Sequence, residues 1–171
     1  MKKALVLLAF LTALFPLSAL AQSNTLVVFD GGIGVIPVSS AVGAGPVSTA
    51  VNLNIVRGVQ PAPQIWVIRD LAASVKTNGT IHVVGLGLLL GGGNEIGFNA
   101  NASVFATLFC GATAPFTPHS TNLAGVPLQP DGDFLINDVL SPAPPNPCVS
   151  PVLLIRVTGA GLWFAAGIPR Q

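Results

Sequence analysis

The sequence predicts an all-β, single-domain antiparallel β-sandwich of Greek-key, Ig-like character, with about eight or nine strands and one disulfide. Three observations predict it. Short apolar or alternating segments rich in Val, Ile, Leu and Thr recur along the chain, separated by clusters of Gly, Pro and Asn. No window beyond the N-terminal leader sustains an apolar i, i+3, i+4 stripe without Gly or Pro inside it. Cys110 and Cys148, the only cysteines, suit a single bridge.

Residues 1–21 read as a secretory address. Lys2 and Lys3 form a basic start, and residues 4–20 are uncharged and rich in Leu, Ala and Phe. Ala19 and Ala21 place small residues where a signal peptidase needs them, so cleavage is expected before Gln22. Thr12 and Pro16 interrupt the apolar run, which argues against a retained span. No Cys follows the cut, so a lipid on an N-terminal Cys is not expected. Residues 22–171 then form one sandwich domain with no internal repeat and no linker, secreted or periplasmic, with no membrane span after cleavage.

The strands follow in order. Residues 26–29 open the domain. Val51, Leu53 and Ile55 alternate with Asn52 and Asn54, the pattern of a half-buried strand with Asn on its wet face. Residues 65–71, 80–90, 103–110, 134–139, 152–158 and 162–167 complete the set. Residues 39–50, rich in Gly, Ala and Ser, read as a loop too short to separate domains.

One hairpin can be registered from the residues alone. A two-residue Asn78-Gly79 loop would mix apolar and polar residues on both faces. A three-residue loop, Thr77 to Gly79, sets Val75 opposite Ile81 and Ser74 opposite His82. That register needs Gly79 in the left-handed conformation, turns Ile81 and Val83 inward and turns His82 out. In residues 103–110, Cys110 falls in line with Val104, Ala106 and Leu108. Its partner Cys148 lies within residues 141–151, whose prolines cannot join a central strand. This segment reads as an extended crossover pinned by a Cys110–Cys148 bridge, as an oxidising compartment favours.

Charge narrows the function. After cleavage, Arg57, Arg69, Lys76, Arg156 and Arg170 stand against Asp30, Asp70, Glu95, Asp131, Asp133 and Asp138. The balance is near −1 and no basic stripe exists, so nucleic acid is not an expected partner. So few charges permit association between copies or with a partner.

The motifs that could carry chemistry are sparse. Gly85, Gly87 and Gly91 to Gly93 lack the Lys-Ser/Thr ending or following helix of a phosphate loop; they read as close backbone approach and a turn. Asp131, Asp133 and Asp138 form the one acidic cluster and the weak calcium candidate, although Pro130 to Asp133 is also a common turn sequence. His82 and His119 are the only imidazoles, and no Gly-x-Ser-x-Gly elbow accompanies them. His119, after Pro118, is placed in a loop, either beside an active site or solvated. Asn78 and Asn101 begin sequon-like triplets and read as turn and strand-entry residues. Arg57, Arg69 and Arg156 read as outward-facing arginines whose stems cover apolar surface, and Trp66 and Trp163 as packing residues.

These readings name no catalytic residue, cofactor or metal beyond the calcium candidate. The expected function is an exported, non-enzymatic structural or binding module of the bacterial envelope or extracellular space. Its expected partner is an envelope or extracellular protein, or a second copy met through a β edge. The alternatives are a small outer-membrane β-barrel, a pilin-like assembly subunit and a secreted hydrolase.

Overall fold

A computed structural model of the chain describes residues 24–40 and 51–170. The expected leader and most of the 39–50 loop lie outside the described residues. Those described form strands and loops only. In chain order the strands are β1 (Thr25–Gly34), β2 (Val38–Ser40), β3 (Val51–Leu53), β4 (Trp66–Val67) and β5 (Asp70–Lys76). Then come β6 (Thr80–Leu86), β7 (Leu89–Leu90), β8 (Ser103–Phe109), β9 (Pro118–Ser120) and β10 (Val126–Pro127). Last are β11 (Phe134–Val139), β12 (Val152–Val157) and β13 (Trp163–Pro169).

The all-β antiparallel architecture is as the sequence predicts. Its main sheet has nine strands in the order β10-β8-β12-β13-β1-β5-β6-β11, with β9 pairing beside β8. One layer is β5, β6 and β11; the other is β8, β12 and β13. The layers are continuous through β1, which pairs β5 through its first half and β13 mainly through its second. Register shifts in both pairings mark the bend. Gly31 takes φ +92° there, and a Cβ on Gly32 would lie 2.8 Å from the Leu71 side chain. The corner therefore needs glycine. Connections from β6 to β8 and from β11 to β12 carry the chain between layers, as Greek-key character requires.

The two ends of the sheet also meet. Ser120 and Ser141 exchange backbone hydrogen bonds of 3.0 and 2.8 Å. Further along the seam, the Asn122 N–H donates to an Asp138 carboxylate oxygen at 2.7 Å. Inside lies one apolar core. Leu71, Val75, Ile81 and Val83 from the first layer join Val104, Leu108, Leu153 and Ile155 from the second, all essentially inaccessible.

The β5–β6 hairpin has the register read from its residues. Val75 faces Ile81, Ser74 faces His82, and Gly79 has φ +85°. Ile81 and Val83 are buried and His82 is exposed. The Asn78 side chain accepts the Thr80 N–H, closing the turn. Cys110 and Cys148 are bridged, tying the end of β8 to the proline-rich crossover between β11 and β12.

Four expectations are corrected. Residues 65–71 are not one strand: β4 leaves the main sheet and pairs with β7, and β5 begins only at Asp70. Residues 80–90 break in the same way at Gly87, whose φ is +66°. The short strands β9 and β10 were not expected, because each contains a proline; both lie at the margin of the sheet, where a missing N–H is tolerated. The alternating segment at Leu53 and Ile55 is not half-buried: both side chains are exposed.

Candidate functional site

The acidic cluster disperses into structural roles. An Asp131 carboxylate oxygen accepts the Asp133 N–H, an Asx-type turn. Asp133 accepts the Gly87 N–H at 2.8 Å and stands 3.6 Å from the Arg69 guanidinium. Asp138 accepts the N–H groups of Asn122 and Val139, both at 2.7 Å. Asp133 and Asp138 lie five positions apart on an extended segment, roughly 16 Å at strand rise, so they cannot converge on one calcium ion. Among the described residues no group of three His, Cys, Asp or Glu is placed to hold a metal.

The histidines separate likewise. His82 lies on the outer face, hydrogen-bonded through Nδ1 to the Asn137 side-chain oxygen. His119 corrects the loop expectation: it sits on β9, is buried opposite Leu108, and its Nδ1 donates to the Pro142 carbonyl at 2.8 Å. It anchors the crossover. The glycines also act through backbone: a Cβ at Gly85 would overlap the Phe134 ring, and Gly87 presents its N–H to Asp133. Trp66 stacks on Phe164 with centroids 3.9 Å apart, and Trp163 Nε1 donates to the Asn54 carbonyl. Arg57 spans the Phe116 ring and reaches the carbonyls of Ala112 and Ser150.

What remains without a structural role is the β2–β3 ribbon. Val38 faces Leu53 across it, and the Asn54 N–H donates to the Pro37 carbonyl before the Ile55 N–H turns back to the Leu53 carbonyl and ends the ribbon. Val38 and Leu53 share one face, and Ile36 and Ile55 lie two positions beyond them in the chain. Ile36 is 60% exposed, Leu53 53%, Ile55 50% and Val38 44%. The sequence therefore shows the period of a buried strand face, and no described part of the chain covers it. β2 and β3 pair only with each other among the described residues. From Gly31 to Val56 the chain has no Asp, Glu, Lys, Arg or His. The signal was in the sequence as the Val51, Leu53, Ile55 alternation; only the destination of the face was misread.

Compared with protein-family models, with curated proteins and with solved structures, the chain matches none.

Proposed function

We propose that this protein is an exported, non-enzymatic assembly module that associates with a second copy of itself through the β2–β3 ribbon. The observation that carries the reading is the exposed apolar group Ile36, Val38, Leu53 and Ile55, which no described residue covers. A neutral ribbon offers a charged partner nothing to pair with. It also sets up no repulsion between copies, and two such ribbons are self-complementary about a twofold axis. Edge strands without lysine lack the usual guard against pairing.

Export rests on the leader sequence, and the disulfide fits a non-cytoplasmic, oxidising environment. The side-chain polarity speaks against the outer-membrane barrel alternative. Leu71, Val75 and Val83 point in, while Ser74, His82 and Asn137 point out. A membrane barrel carries its apolar band outside and a polar lumen within. No helix among the described residues is long and apolar enough to cross a membrane.

Light scattering on the processed, disulfide-bonded chain tests the proposal. Mass should rise with concentration in the micromolar range, and Leu53→Lys should return the protein to monomer without changing the urea midpoint seen in dilute, monomeric samples. A wild-type chain that stays monomeric throughout would remove the assembly reading.

A further inference from the structure

A second feature lies on the layer of β8, β12 and β13. Arg156 stands on the outer face of β12, directly across from Phe105 on β8. Its guanidinium lies over the Phe105 ring, 5.1 Å from the centroid. Nε donates to the Gly161 carbonyl at 2.7 Å, and Nη1 reaches the Thr107 hydroxyl at 3.4 Å. Thr107 is fully buried, and its hydroxyl also meets that of Ser120. The guanidinium is thereby held in one orientation by a carbonyl, a hydroxyl and a ring.

No carboxylate among the described residues answers it. Among the described residues the one ion pair is Arg69 with Asp133, and Nη2 of Arg156 has no hydrogen-bond acceptor. Arg156 lines an open groove of about 550 Å³ together with Phe105, Pro118, Ser120, Leu123 and Gly161. A Cβ at Gly161 would lie 2.8 Å from Nη2, so glycine there keeps the donor clear. A partly desolvated cation without a counter-charge is costly, and evolution of a neutral residue at this site would remove that cost. Burial lowers the Arg156 pKa from its ordinary value, yet a guanidinium stays charged at neutral pH.

We infer that this groove binds a monocarboxylate carried on an apolar body, with the carboxylate on Arg156 and the body against Phe105, Pro118 and Leu123. One arginine with free N–H groups on one side suits a single carboxylate through charge-assisted hydrogen bonds. No lysine or second arginine lines the groove to balance a dianion such as phosphate. The walls are mostly carbon, so the ligand's remaining surface is apolar. On the far side of β9, Asp138 closes the seam, about three strand spacings or roughly 14 Å from Arg156. A ligand extending that far would meet negative charge, which favours a short body.

The inference is independent of the ribbon and is tested on the full processed chain by NMR. The probes are 3-phenylpropionate and the tripeptide Ala-Leu-Phe with a free C-terminus, each paired with its uncharged carboxamide. Saturable shifts are expected at the Arg156 Nε–H and at the amides of Phe105, Gly159 and Gly161. The carboxamides should bind at least about tenfold more weakly, the worth of a charge-assisted contact. The stronger of the two acids tells whether a free acid or a chain terminus is preferred. Leu123 is 62% exposed, so Leu123→Asp leaves the fold intact and should weaken the acids several-fold by repulsion at the groove mouth. Arg156→Gln should abolish the acid-over-amide preference. Equal binding of acid and amide, or no saturable shift with either acid in the low millimolar range, would overturn the proposal.

Discussion

At the scale of single residues, the polar groups of this chain serve backbone geometry. Asp133 holds the Gly87 N–H at the break between β6 and β7 and faces Arg69, whereas Asp131 only closes its own turn. Asp133→Ala should therefore cost about 1–2 kcal/mol, the worth of a carboxylate hydrogen bond to a partly buried N–H. The Arg69 pair adds little, because that guanidinium is largely exposed. Asp131→Ala should stay within roughly 0.5 kcal/mol of wild type. Urea denaturation of the two variants, with and without calcium, checks both. Equal losses, or calcium raising the wild-type midpoint, would restore the acidic cluster as a site. None of this division of labour is visible in the linear string Pro130 to Asp133, which fits a turn and a ligand loop equally well. The difference lies in which N–H each oxygen meets, and Gly87 is far away in sequence.

At the scale of elements, legibility followed the local content of the signal. The β5–β6 hairpin was readable to its register because turn, alternation and glycine all sit within a few residues. β11 and β12 were readable as apolar runs between breakers. β9 and β10 were not, since Pro118 and Pro127 count against a strand unless its position at the margin is known. The breaks at 68–69 and 87–88 were hidden for a related reason: the residues on either side are equally apolar, and only the separate β4–β7 pairing reveals them. The buried place of His119 depends on a carbonyl in the crossover, at Pro142. That crossover is held at its far end by the disulfide, which closes a sequence separation of 38 residues. Replacing both cysteines with serine should cost roughly 2–5 kcal/mol, chiefly by freeing the unfolded chain. A urea or guanidinium titration of the double variant gives the number. A loss below about 1 kcal/mol would mean that His119 and the core hold the crossover without the bridge.

At the scale of the whole molecule, the chain combines a largely apolar interior, a sheet whose ends meet at Ser120 and Ser141, and few charges. The proposed export entails cleavage of residues 1–21. Intact mass of the exported protein should correspond to a chain starting at Gln22, and a product retaining Met1 to Lys3 would contradict export by cleavage. Assembly is the central claim, and it rests on β2 and β3, which among the described residues pair only with each other and carry exposed Val38 and Leu53. Backbone amide exchange reads those strands directly. In dilute protein the amides of β2 and β3 should exchange rapidly. At concentrations where light scattering shows association they should become protected, while β5, β6, β8 and β12 remain slow at both concentrations. Exchange in β2 and β3 that is unchanged between the dilute and concentrated samples would contradict the account.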